Sequence, residues 1–369
     1  MNDSIECTSK IPITIITGLL GSGKTTLLRK ILNDNHGLRI AVLLNEYAPD
    51  DKFNQLEKPM FVGENGNLYE EWIEVNNGCL CCSAKGQTIR ALESLTKHSQ
   101  INYVIVESSG LANPGPIINS LWLDEGLNSR FKLNGVVTIV DACRLYRTGQ
   151  NASLEFENEF TVQLIYADHI IVNKMDLLQS RFGISKQCKQ LCHDNIFKRN
   201  PWATCSFTQY CDIDIKSGVL NLCGYEDYEL IRSKMSSLST LLNKDHSDST
   251  KNIRCFTIDC PPNTYFKRQK LNELLTELLW NNQEDQTVEG KYGRIRRLKA
   301  SVIVEEEVYE DLKTVIVQAV DDNYDEFELM NNTINEVSRF VFIGDNMRKR
   351  QLDQMISEHI SIKNSFEEK

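Results

Sequence analysis

The chain has 369 residues, 41% of them hydrophobic and 25% charged, which is enough for two domains with separate cores. A formal net charge of −10 argues against nonspecific binding to nucleic acid or to an anionic membrane surface. No run of about 18 apolar residues offers a membrane span, and Met1–Lys10 is too polar for a signal core, so the twelve cysteines read as thiols of a reducing cytoplasmic or nuclear compartment.

The first predicted strand, Ile11–Thr17, runs into Gly18-Leu19-Leu20-Gly21-Ser22-Gly23-Lys24-Thr25-Thr26, and a helix is predicted over Lys24–Asp34. Strand, glycine-rich turn and helix are the context in which backbone N–H groups curl around a nucleotide's phosphates. Here Gly18, Gly21, Ser22, Gly23 and Thr26 shape the loop, Lys24 reaches the β- and γ-phosphates, and the Thr25 hydroxyl ligates Mg2+. A second apolar strand, Arg39–Asn45, leads to Glu46, a candidate first-switch carboxylate for Mg2+ or for a second metal, with a solvated loop acid as the close competing reading.

Cys79, Cys81 and Cys82 place three thiols within four residues, too close together for unstrained disulfides with one another. Three thiolates on one loop suit a soft ion such as Zn2+ or Cu(I) and leave the fourth tetrahedral position open for exchange. A redox pair or incidental cysteines in a buried turn are the competing readings. After a helix-length segment, Gln87–His98, the strand Tyr103–Glu107 ends in Glu107-Ser108-Ser109-Gly110. There the Glu107 carboxylate can hold Mg2+ through water, and the Gly110 N–H can sense the γ-phosphate.

Strand Gly135–Asp141, helix Phe160–Ala167 and strand His169–Asn173 follow, and the last opens Asn173-Lys174-Met175-Asp176. Asp176 can accept from guanine N1–H and N2–H2, a donor pair that adenine lacks. Lys174 can cover the base and Asn173 can brace the loop. That favours GTP over ATP, although Asp176 could merely cap the next helix. No water-positioning glutamine or arginine finger follows the second switch, so hydrolysis is expected to be slow without a partner or metal.

The repeated βα pattern predicts an α/β fold, a phosphate-loop GTPase domain with a mainly parallel sheet over residues 11–225 after a tail at 1–10. Serine-rich, polar text over 226–252 reads as a linker. A smaller α+β domain over 253–369 is predicted from strands Arg254–Asp259, Arg296–Glu305, Thr314–Asp321 and Arg339–Ile343 and helices Lys267–Trp280 and Met347–His359. The basic run Arg294–Lys299 reads as a solvated strand edge.

Together, the phosphate loop, Glu107–Gly110, Asn173–Asp176 and Gly78-Cys79-Leu80-Cys81-Cys82 resemble the CobW-type metallochaperone GTPases, nearest their eukaryotic zinc-regulated branch. Supporting text includes Glu70-Glu71-Trp72, Trp122–Ser129 and Arg339–Gly344, so the resemblance spans about residues 11–360. It implies GTP hydrolysis coupled to zinc transfer into a client metalloenzyme, in that branch type I methionine aminopeptidase. A nucleotide-linked zinc sensor, or a chaperone for another metal such as cobalt, is the alternative, and a homodimer is left open. Three departures stand out: Asn45-Glu46-Tyr47-Ala48-Pro49 replaces Asn-Glu-Phe-Gly-Glu, and Asn113 replaces the aspartate of Leu-Ala-Asp-Pro. The segment before residue 11 holds only Cys7 and no Cys-Pro-Glu-Leu-like docking motif.

Overall fold

The computed structural model describes residues 10–44, 60–62, 68–70, 101–121, 130–150, 155–183, 186–222, 234–235, 253–280, 291–306, 312–329 and 337–362. It divides into two compact units, 1–196 with 203–225, and 197–202 with 226–369.

In the first unit the chain runs β1 (Ile11–Thr17), α1 (Lys24–Asn33), β2 (Ile40–Leu44), β3 (Met60–Val62), β4 (Leu68–Glu70), β5 (Tyr103–Glu107), α2 (Gly115–Leu121) and β6 (Phe131–Asp141). It continues with α3 (Ala142–Gly149), α4 (Glu157–Tyr166), β7 (His169–Asn173), α5 (Met175–Phe182), α6 (Lys186–Arg199, whose residues from 197 on count with the second unit) and β8 (Thr204–Phe207), followed by a π-helical turn, Lys216–Leu220. The strands form one eight-stranded sheet in the order β4-β3-β2-β5-β1-β6-β7-β8. Along β2-β5-β1-β6-β7-β8 every pairing is parallel, and the antiparallel pairings are those of β3 with β2 and with β4.

The central strands read as continuous Ile/Val runs because both faces are covered. Ile13, Ile15, Ile16, Val104, Ile105 and Ile171 are all fully buried. α1 packs Leu27, Leu28 and Ile31 on one face, and α4 packs Phe160 and Leu164 on the other. In a parallel sheet all carboxyl ends share one edge. Thr17, Glu107, Asp141 and Asn173 therefore come together there, although they are far apart in sequence.

The second unit runs β9 (Ile253–Asp259), β10 (Thr264–Lys267), α7 (Arg268–Leu279), β11 (Arg294–Glu305), β12 (Leu312–Val320), β13 (Asn323–Glu328), β14 (Arg339–Asp345), α8 (Lys349–His359) and β15 (Ile360–Ile362). Its seven strands pair antiparallel except for β10 with β11. α7 and α8 bury Leu271, Leu274, Leu275, Leu352 and Ile356 in one core with Phe340 and Phe342.

The edge-strand reading of Arg294–Lys299 is corrected here. β11 lies inside the sheet, paired with β12 on one side and β14 on the other. Arg297 and Lys299 are 2% and 4% exposed, while Arg296 pairs with Asp345 at 2.7 Å. The charges of Arg296, Arg297 and Lys299 are thus engaged in the fold, while Arg294 at the start of the run stays exposed.

Candidate functional site

The glycine-rich turn after β1 owes its shape to backbone that other residues rarely adopt. Gly18, Gly21 and Gly23 have φ of +142°, +74° and +119°. A Cβ on Gly18 would lie 2.3 Å from the Ile139 carbonyl oxygen, and one on Gly23 2.5 Å from Asn173 Nδ2. Both glycines are required twice, by dihedral and by space. The Ser22 N–H donates to Leu19 O at 3.1 Å, and Lys24 Nζ folds back to donate to Gly18 O at 2.8 Å.

Lys24 is 8% exposed and sits in the first turn of α1, whereas Thr25 and Thr26 are exposed at the same turn. Neither a capping side chain nor an acid occupies the start of this ten-residue helix. Its first N–H groups and positive dipole end are left for an anion.

Asn173 joins this loop to the end of β7. Its Nδ2 donates to Ser22 O at 3.0 Å and its Oδ1 accepts from Cys211 N at 3.0 Å. Lys174 follows in left-handed backbone, φ +63°, and its Nζ pairs with Asp141 Oδ2 at 2.9 Å. Asp141 ends β6 and caps α3, accepting at Oδ1 from the N–H groups of Cys143 and Arg144. Asp176 lies half-buried in the first turn of α5. Cys211 packs against the loop with its Sγ 3.6 Å from Gly23 O, and burial pushes its thiol up to about 11.

The end of β5 adjoins β1, with Glu107 opposite Ile16 and also in register with Leu44. Ser108, fully buried, donates from Oγ to Thr17 Oγ1 at 2.7 Å, and its N–H bonds Ile16 O at 2.9 Å. Gly110 passes so close to the phosphate loop that a Cβ there would lie 2.8 Å from Leu20 N. Gln163 of α4 clamps this turn, donating through Nε2 to Gly110 O and Ala112 O at 3.1 and 3.2 Å. Asn113 accepts the Gly115 N–H at 2.9 Å, so the amide supplies the cap at the start of α2 that a carboxylate could also supply.

Gly18–Thr26, Glu107–Gly110 and Asn173–Asp176 thus share one edge of one sheet. Glu46, Cys79, Cys81 and Cys82 lie outside the described residues. Among the described residues no three His, Cys, Asp or Glu side chains gather as a metal-binding group, and no helix is long and apolar enough to cross a membrane. Sequence reasoning did not single out Asp141, Gln163 or Cys211. Asp141 had a readable signal, an acid closing an apolar strand just before a helix, but the other two act through contacts that only folding brings about.

Residues 12–198 match the model of the CobW/HypB/UreG nucleotide-binding domain. The chain belongs to the CobW/HypB/UreG family. A relative from Saccharomyces cerevisiae, named zinc-regulated GTPase metalloprotein activator 1, is 30% identical over 94% of this chain and 83% of its own length. Its namesake from Schizosaccharomyces pombe is 34% identical over 68% of this chain and 57% of its own. The zinc chaperone YjiA of Escherichia coli is 34% identical over 56% of this chain and 59% of its own. A crystal structure of the zinc-bound YjiA GTPase superposes with a TM-score of 0.65 over 95% of this chain and 99% of that one, at 22% identity, a likeness of fold. The family match covers the edge where the three motifs meet, and the motif residues stand inside it.

Proposed function

We propose that this family member binds and hydrolyses GTP at the described edge and couples the nucleotide to carriage of zinc on Cys79, Cys81 and Cys82. The cargo would pass to a client metalloenzyme, and the family resemblance makes type I methionine aminopeptidase the client to test first. One observation carries the nucleotide half: the Asn173 side chain bonds at once to Ser22 of the phosphate loop and to Cys211, locking phosphate-reading and base-reading segments into one cradle. The zinc half is supported by the Cys79-Leu80-Cys81-Cys82 loop and by the relatives from both yeasts, named zinc-regulated GTPase metalloprotein activators.

In this reading Gly18–Gly23 and the first turn of α1 supply N–H donors to the phosphates. Lys24 exchanges its bond to Gly18 O for phosphate oxygens, a neutral acceptor for a charged one. Asp176 reads the guanine edge while Lys174, held by Asp141, covers the base. Thr25 and Glu107, with Glu46 as a further candidate, form an all-oxygen donor set that fits a hard ion. Mg2+ there would neutralise the charge that develops on the phosphates. The domain division into 11–225 and 253–369 belongs to the same proposal.

The test is zinc affinity against a competing chelator, measured on protein loaded with Mg2+ and either a GTP analogue or GDP. A 100-fold difference corresponds to about 2.7 kcal/mol of coupling, and zinc must then shift nucleotide affinity by the same factor. The difference should vanish in the Cys79→Ser, Cys81→Ser, Cys82→Ser triple variant. Equal affinity in both nucleotide states would remove the coupling, and zinc held at full strength by the triple variant would move the metal off this loop.

A further inference from the structure

Beside the phosphate loop lies a cavity of about 450 Å3 whose charged lining is three arginines against one carboxylate, Asp141. Arg144 and Arg147 come from α3, one turn apart and so on neighbouring positions of one face, and Arg181 comes from the last turn of α5. Leu19, Leu20, Phe160 and Phe182 contribute apolar wall.

Arg144 is the unusual member. Its guanidinium stands over the Phe160 ring, 5.7 Å from the centroid, and its Nε and Nη2 are buried with no hydrogen-bond partner. Burial draws its pKa down; Asp141, Glu155 and Glu159 act against that shift and Arg147 adds to it. The acid that acts on it most strongly, Asp141, is already engaged. Asp141 gives one oxygen to the α3 cap and the other to Lys174. Arg147 and Arg181 make no ion pair among the described residues.

A second observation points the same way. Ser22, 2% exposed and in the same lining, has a buried Oγ without a partner. Each unsatisfied buried donor costs on the order of 1–3 kcal/mol, so the fold carries a penalty here that a ligand rich in acceptors would remove.

We propose that this cavity is an oxyanion site for the phosphate class, distinct from the nucleotide cradle. Guanidinium forks and a hydroxyl donor match the acceptors of a tetrahedral, multiply charged oxyanion. Gly23, Lys24, Thr25, Asn173, Lys174 and Asp176 are all absent from its lining. Ser22 belongs to both walls, so an anion here touches the loop that holds the nucleotide. The shared chemistry is a phosphate group, either free or carried as an ester on a small molecule.

The experiment is calorimetric titration of inorganic phosphate into the full chain saturated with GDP, with excess GDP alone as the parallel arm. One equivalent of phosphate should bind, at least tenfold more weakly in Arg144→Gln, and likewise in the surface double variant Arg147→Gln, Arg181→Gln should Arg144→Gln fail to fold. Phosphate binding should survive Lys24→Ala measured without nucleotide, which separates this site from the phosphate loop and from the GTPase reading. Uptake of a second equivalent of GDP, lost in the same arginine variants, would assign the anion to a phosphate ester. Absence of phosphate binding in the unmodified chain, equal binding in the arginine variants, or loss of binding only in Lys24→Ala would overturn the proposal.

Discussion

At the scale of single residues, the site depends on atoms with no room to move. Gly23 combines φ +119° with a Cβ direction blocked 2.5 Å away by the Asn173 amide. Gly23→Ala is therefore expected to destabilise the first unit by about 2 kcal/mol and to weaken GDP binding, read from urea unfolding and a nucleotide titration. Asn173→Ala deletes both bonds of the bridging side chain and leaves Ser22 O and Cys211 N without it. About 2–4 kcal/mol of stability should be lost, with GDP affinity falling at least tenfold. Unchanged affinity in a folded Asn173→Ala protein would show that the bridge does not shape the cradle. The glycine pattern and Asn173 were legible in the chain as motif letters. That the asparagine amide fills the space over Gly23 was not, because the two positions are 150 residues apart in sequence.

Elements decide which turns are held and which can be released. The loop after β5 hangs on Gln163 of α4, whose Oε1 is buried and has no partner. Gln163→Leu keeps the volume and removes both donors. The Ala112 N–H, which bonds Ser109 O, should then exchange about tenfold faster in hydrogen-exchange mass spectrometry, the equivalent of one bond's net worth. Exchange at the unmodified rate would show that the turn holds without its clamp. Periodicity located β1, β5, β7, α1 and α7 to within a few residues, because each is a long apolar run or a clear amphipathic stretch. It passed over β13, Asn323–Glu328, a half-exposed edge strand written almost wholly in polar letters, and β15, only three residues long. It also misplaced β11 at an edge, since buried arginine and lysine are read as solvated until their partners are seen.

Across the whole molecule, buried free thiols link both units to pH. Burial raises Cys192 to about 12 and Cys211 to about 11 in the first unit, and Cys260 to about 12 in the second. An exposed thiol in the unfolded chain ionises at the ordinary value of 9.0, so between about pH 9 and 11 the native state holds more protons than the unfolded one. Stability must fall as pH rises through that window, by about 1.4 kcal/mol per pH unit for each buried thiol. Urea unfolding from pH 8 to pH 11 should show this slope, and Cys211→Ala should make it shallower. A slope unaffected by Cys211→Ala would mean that this thiol ionises freely in the native state.

The sequence alone determined the fold class and the motif inventory. A glycine-rich turn between strand and helix, and apolar runs long enough to be buried on both faces, are local properties of the chain. The tertiary structure alone decided which side chains complete the site. Gln163, Asp141, Cys211 and the three cavity arginines take their meaning from neighbours supplied by other strands and helices. Parallel strand order brings those distant carboxyl ends to one edge, and no local pattern of residues encodes that order.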